Sequence, residues 1–139
     1  CEPWNPRGIA TYGYVIYRDG KIHHKGKGLA CEPFSPKASN NVAEYTAMIE
    51  ALKFLVENRM TSEKVVVRGD SQLTIRQMLG VYSVRASRII PLYKRAASLV
   101  KHFRDIRFEW VPREKNEEAD ELSHEAYVEY IDNNPEVFE

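Results

Sequence analysis

Near residue 41 the apolar side chains change from the spacing of a strand to that of a helix, and near residue 65 they change back. Tyr45, Met48, Ile49, Leu52, Leu55 and Val56 recur at three- and four-residue steps, which is one face of an amphipathic helix. Asn40 or Asn41 fits as its cap. Val65-Val66-Val67 is a short, fully apolar strand, and Gly69-Asp70-Ser71 turns the chain into the next helix. Strand, helix and strand in that order point to an α/β domain with parallel pairing.

The remaining segments fit around this unit. Tyr12 to Tyr17 is aromatic and β-branched, Asp19-Gly20 follows, and Lys21 to Leu29 alternates loosely, so the pair reads as a hairpin. Pro33, Ser35, Pro36 and Ser39 mark a loop. Helical patterning covers Leu73 to Gln77 and again Ala86 to Phe103, with Pro91 near the start of the second piece. Ile106, Phe108 and Trp110 alternate as a half-buried strand ended by Pro112. Ala119, Leu122, Ala126 and Tyr130 mark a last helix. One domain over residues 1–130 is expected, with a frayed C-terminal tail over 131–139.

Composition narrows the class. The chain has 139 residues, enough for a single buried core, and is 43% hydrophobic and 29% charged, a soluble globular balance. No apolar run approaches the ~18 residues that span a bilayer, so no membrane partner is expected. There is no leader pattern, and two cysteines, Cys1 and Cys31, make no disulfide framework; an intracellular, cytoplasmic protein is the default. The formal net charge of zero hides an asymmetry: residues 68–107 carry nine basic and two acidic side chains, an excess of +7, whereas residues 108–139 carry two basic and eleven acidic, −9. A basic segment alone is compatible with either a nucleic-acid surface or an ordinary solvated helix.

Three acids sit where acids are awkward for folding. Glu44 lies in the first turn of a helix at the edge of its apolar face, Asp70 follows three valines at the carboxyl end of a strand, and Asp120 lies beside the buried stripe of the last helix. Each has a plain alternative: Glu44 and Asp120 suit helix N-terminal dipoles, and Asp70 suits a helix cap.

The surrounding segments decide between them. Asn40-Asn41-Val42-Ala43-Glu44-Tyr45, Gly69-Asp70-Ser71-Gln72-Leu73 and Trp110-Val111-Pro112-Arg113-Glu114-Lys115-Asn116-Glu117-Glu118-Ala119-Asp120 resemble, in order and in placement, the catalytic segments of type 1 ribonuclease H. The resemblance covers essentially the whole chain and points to a short-loop branch like the archaeal members. It implies a mixed five-stranded sheet of order 3-2-1-4-5 with helices on both faces, and hydrolysis of the RNA strand of an RNA–DNA hybrid. It implies Glu44, Asp70 and Asp120 as metal ligands. Clustered carboxylates repel one another unless cations neutralise them, and Mg²⁺ or Mn²⁺ takes carboxylate oxygen and water. Two such ions about 4 Å apart activate a water and stabilise a leaving oxygen.

By the same matching, Asn41, Ser71 and Gln72 fall at positions that touch the hybrid, with Asn40 and Asn5 as further candidates. Amides both donate and accept, as the ribose 2′-hydroxyl does. For Asn40 and Asn5 a turn or cap role stands equally open. Arg85, Arg88, Lys94 and Arg95 are candidates for phosphate contact, while Trp4 and Trp110 are expected to pack rather than stack on bases.

Two departures from the pattern stand out. The loop from Pro112 to Asn116 has no histidine where many bacterial relatives carry one, and Arg113 is the candidate for part of that role; His124, one turn past Asp120, is expected to face solvent. The family's first strand, which is central in the sheet and carries its first catalytic aspartate, has no counterpart after Cys1. The expectation is therefore of an N-terminally truncated domain, monomeric when complete. Two rival readings follow: a non-catalytic hybrid-binding module with an incomplete metal site, or the ribonuclease domain of a reverse transcriptase.

Overall fold

The computed structural model describes residues 11–29 and 40–133. Asp19 and Gly20 both have positive φ, 54° and 79°, which is the backbone of a two-residue hairpin turn. They join β1 (Thr11–Arg18) to β2 (Lys21–Leu29) in antiparallel register, from Thr11 opposite Leu29 to Arg18 opposite Lys21, with an irregularity at Ile16/Tyr17. The Tyr14 ring lies over Gly26, and Tyr14 stacks on Tyr12 at 6.4 Å.

The first helix, α1 (Asn40–Glu57), supplies most of the core. Val42, Tyr45, Met48, Ile49, Leu52 and Leu55 are buried on it, joined by Ile89, Ala96 and Phe103. Burying each large apolar side chain contributes about 1.5–3 kcal/mol, so this face, more than helix propensity, fixes α1 in place. Asn41 lies inside the first turn rather than flanking it, and Glu44 falls just past that turn, so neither the expected cap nor a first-turn dipole accounts for them.

The second sheet pairs β3 (Lys64–Gly69) with β4 (Asp105–Trp110) in parallel, from Lys64 opposite Asp105 to Gly69 opposite Trp110. Between them run α2 (Gln72–Met78) and α3 (Ile90–Val100), and α4 (Glu117–Asn133) follows β4. Val65, Val67, Ile106 and Phe108 pack on the core, but Val66 is 42% exposed. Val65 and Val67 therefore face the core, while Val66 shares the exposed face of the strand with Lys64 and Arg68.

The helix expected from Ala86 begins later, at Ile90. The Ala86 carbonyl accepts from the amides of Ile89 and Ile90, at 2.9 and 3.1 Å, closing a turn, and Pro91 occupies the first helical turn, where its missing N–H costs nothing. The hairpin lies between helices: Ile16 packs toward the α1 core and His24 stacks on Phe54 at 3.8 Å, while Thr11 and Gly13 meet α4. The mixed α/β architecture is as expected. The two strand pairings seen, β2 with β1 and β3 with β4, are the outer neighbours of the 3-2-1-4-5 order, and the middle of that order is not among the described residues.

Candidate active site

At its carboxyl end β3 leaves the sheet under close control. The Val111 amide donates to the Gly69 carbonyl at 2.9 Å, prolonging the β3–β4 contact by one residue. The Trp110 indole Nε1 then donates to the Asp70 carbonyl at 3.0 Å. Trp110 is 43% exposed, and beyond any packing role its indole pins the Asp70 backbone.

Asp70 does not cap the next helix. Ser71 does: its Oγ accepts from the Thr74 amide at 3.2 Å and donates to the Thr74 hydroxyl at 3.1 Å. The Asp70 carboxylate is left to turn toward α1 and the start of α4, where Asn116 Nδ2 donates to its Oδ2 at 3.3 Å. The plain alternative for Asp70 is thereby removed.

Asp70 and Glu44 line one small, polar cleft together with Asn116, Tyr12, Gly13, Ala43, Ala47 and Ala119. Three elements and one turn converge there: β1, α1, the end of β3, and the entry to α4. Four of the lining residues are glycine or alanine, which lets the backbones approach closely. Burial, and secondarily the Glu50 carboxylate, hold the Tyr12 hydroxyl above its ordinary pKa.

The other expected residues distribute differently. Asp120 follows the cleft residue Ala119 on α4, and its side chain lies outside the described residues, as do the side chain of Asn40 and the whole of Asn5. Among the described residues no cluster of three His, Cys, Asp or Glu is assembled. Asn41 is half-buried on α1, three residues before Glu44 and so on the same side of the helix. Gln72 is exposed at the start of α2, Arg113 is exposed on the 3₁₀ turn Arg113–Lys115, and Arg85 and Arg88 are exposed between α2 and α3. None of these four lines the cleft. His124 is exposed, as expected.

A family profile described as reverse transcriptase-like matches residues 5–126. The crystal structure of RNase H1 from the halophilic archaeon Halobacterium salinarum NRC-1 superposes with a TM-score of 0.79 at 33% identity, covering 93% of this chain and 92% of that one. The chain belongs to the type 1 ribonuclease H family. A second member, LC11-RNase H1 solved in complex with an RNA/DNA hybrid, superposes with a TM-score of 0.79 at 32% identity over 90% of this chain and 92% of its own. The protein of Mycobacterium tuberculosis named bifunctional protein Rv2228c is 40% identical over 122 residues, 88% of this chain. The present chain spans only about a third, 32%, of that relative's length.

Within this ribonuclease H fold, two cleft residues are not singled out by sequence patterns alone. Asn116 sits directly before α4, four residues ahead of Asp120, and that helix-entry position is its only signal. Gly13, in the run Tyr12-Gly13-Tyr14, is legible as a glycine interrupting a strand, which marks a close backbone approach.

Proposed function

We propose that this domain is a metal-dependent endonuclease that hydrolyses the RNA strand of RNA–DNA hybrids. One observation carries the reading: Glu44 and Asp70, 26 positions apart in sequence, line a single cleft that Ala119, the residue before Asp120, also lines. Glu44, Asp70 and Asp120 form the proposed ligand set. A donor set built only of carboxylate oxygen fits a hard divalent cation, Mg²⁺ or Mn²⁺, and offers none of the nitrogen and sulfur ligation that zinc favours. When bound, such ions would supply Lewis-acid activation of water and stabilisation of the leaving oxygen.

The chain's own residues do the rest. Trp110 and Asn116 fix the backbone and carboxylate of Asp70, so that the ligand is oriented before anything binds. Asn41, three residues before Glu44 on α1, is proposed to meet a ribose hydroxyl of the hybrid. Arg85 and Arg88, away from the cleft, are proposed to contact phosphates. The hybrid-bound relative supports the substrate assignment.

Asp70→Asn tests the mechanism, since it removes ligand charge and keeps shape. RNA-strand cleavage should fall by several orders of magnitude with the circular dichroism spectrum unchanged, and Arg113→Ala should lower the rate much less. Wild-type turnover in Asp70→Asn, or cleavage by the wild type in excess chelator, refutes the proposal.

A further inference from the structure

Helix α4 lies on β1 along one face of the strand. Thr11 Oγ1 donates to the Ser123 carbonyl at 2.8 Å, and Ser123 Oγ donates back to the Thr11 carbonyl at 3.0 Å, with the two hydroxyls 3.1 Å apart. Both residues are closed off from water, at 1% and 0% exposure, so these bonds form where an unmade one is costly. Two residues along, Gly13 is the point of closest approach. A Cβ there would stand 2.6 Å from the Ser123 backbone nitrogen and 2.7 Å from the Leu122 Cβ, and would also collide with the Ala119 carbonyl. These obstacles are backbone atoms and a Cβ, which cannot rotate away.

Gly13 lines the cleft, and so does Ala119. The helix residues that a side chain at position 13 would push back, Ala119, Leu122 and Ser123, bracket Asp120 on α4. Glu44 and Asp70 belong to other elements, α1 and the end of β3, and neither is among the groups that a Cβ at position 13 would meet most closely. We propose that Gly13 is a positioning residue for the metal site: its missing side chain sets how closely α4, and with it Asp120, approaches the Glu44–Asp70 cleft. The Thr11–Ser123 pair locks the helix at that distance. This inference rests on the proposed metal-dependent function and deepens it.

The test is Mn²⁺ binding, followed by electron paramagnetic resonance of the free ion, in wild type, Gly13→Ala, Asp120→Asn and the double variant. Gly13→Ala should weaken Mn²⁺ binding by about tenfold, the scale on which residues supporting a ligand act. In the Asp120→Asn background the same substitution should have no further effect, because the ligand it misplaces is already gone. Circular dichroism verifies the fold of each variant. If Gly13→Ala does not fold, Thr11→Val takes its place: it keeps the shape, breaks the lock on Ser123, and should weaken binding only while Asp120 is present. Equal losses with and without Asp120, or no loss at all, overturn the positioning role alone. Unchanged Mn²⁺ binding in Asp120→Asn overturns the metal-site reading beneath it.

Discussion

Asn116 Nδ2 donates to Asp70 Oδ2 across 3.3 Å, joining the residue ahead of α4 to the carboxylate at the end of β3. The bond is long and partly solvated, so its worth is modest, about 1 kcal/mol, or roughly a fivefold effect on a rate. Asn116→Ala should lower RNA-strand cleavage by that factor and leave thermal stability almost untouched. A loss as large as that of Asp70→Asn would give Asn116 a direct part in the chemistry.

Tyr45 and Gln77 form the buried counterpart of that bond. The Tyr45 hydroxyl donates to Gln77 Oε1 at 2.6 Å, tying α1 to α2 behind the Asp70 turn. Tyr45→Phe would strand the buried Gln77 oxygen and should cost about 1–3 kcal/mol, read as a lower urea midpoint with unchanged slope. Burial, with a lesser contribution from Tyr93, pushes the Tyr45 pKa from 10.0 up to about 12. A raised folded-state value means stability that is complete below pH 10 and lost as the pH climbs toward 12. Unfolding free energy measured across that window should fall less steeply in Tyr45→Phe than in wild type.

Local chemistry makes much of this legible in the sequence, and long-range packing does not. The Asp19-Gly20 turn, the buried stripe of α1 and the strand ending at Asp70 all follow from residues close in sequence. Glu44 and Asp70 stand out by the company they keep in their own segments. The expectations that fail are those that depend on another element. The helix after Ala86 is delayed because a turn forms before Pro91. Trp110 reads in the sequence as the end of a half-buried strand, and the carbonyl it holds 40 residues away is encoded by no local pattern.

Arg85 and Arg88 stand exposed between α2 and α3, near in sequence to the Arg76–Tyr82 pair, in which Arg76 Nη1 donates to the Tyr82 hydroxyl at 2.6 Å. The net charge of zero would suggest weak dependence on salt, but positive charge is concentrated in residues 68–107. Replacing Arg85 and Arg88 together by Ala should weaken hybrid binding and flatten the plot of log affinity against log salt. The slope should change by up to about one unit for each phosphate that is no longer neutralised. An unaltered slope would place the binding surface on a different face.

Among the described residues β1 pairs only with β2, and β3 only with β4. The strand order expected from the family places one further strand between β1 and β3, bonded to both at ~4.8 Å on either side. Such a strand would satisfy backbone groups along two edges at once, and each buried group left unpaired costs on the order of 1–3 kcal/mol. Adding a short apolar peptide strand containing Asp-Gly to the domain should therefore raise its stability. Amide exchange should slow in both β1 and β3, because one inserted strand closes both edges. The added aspartate should also raise Mn²⁺ affinity, as a fourth carboxylate beside Glu44, Asp70 and Asp120. Slower exchange without tighter Mn²⁺ binding would keep the sheet order and discard the fourth ligand. Exchange that slows in only one of the two strands would mean that β1 and β3 do not flank a common neighbour, and the order 3-2-1-4-5 would fall.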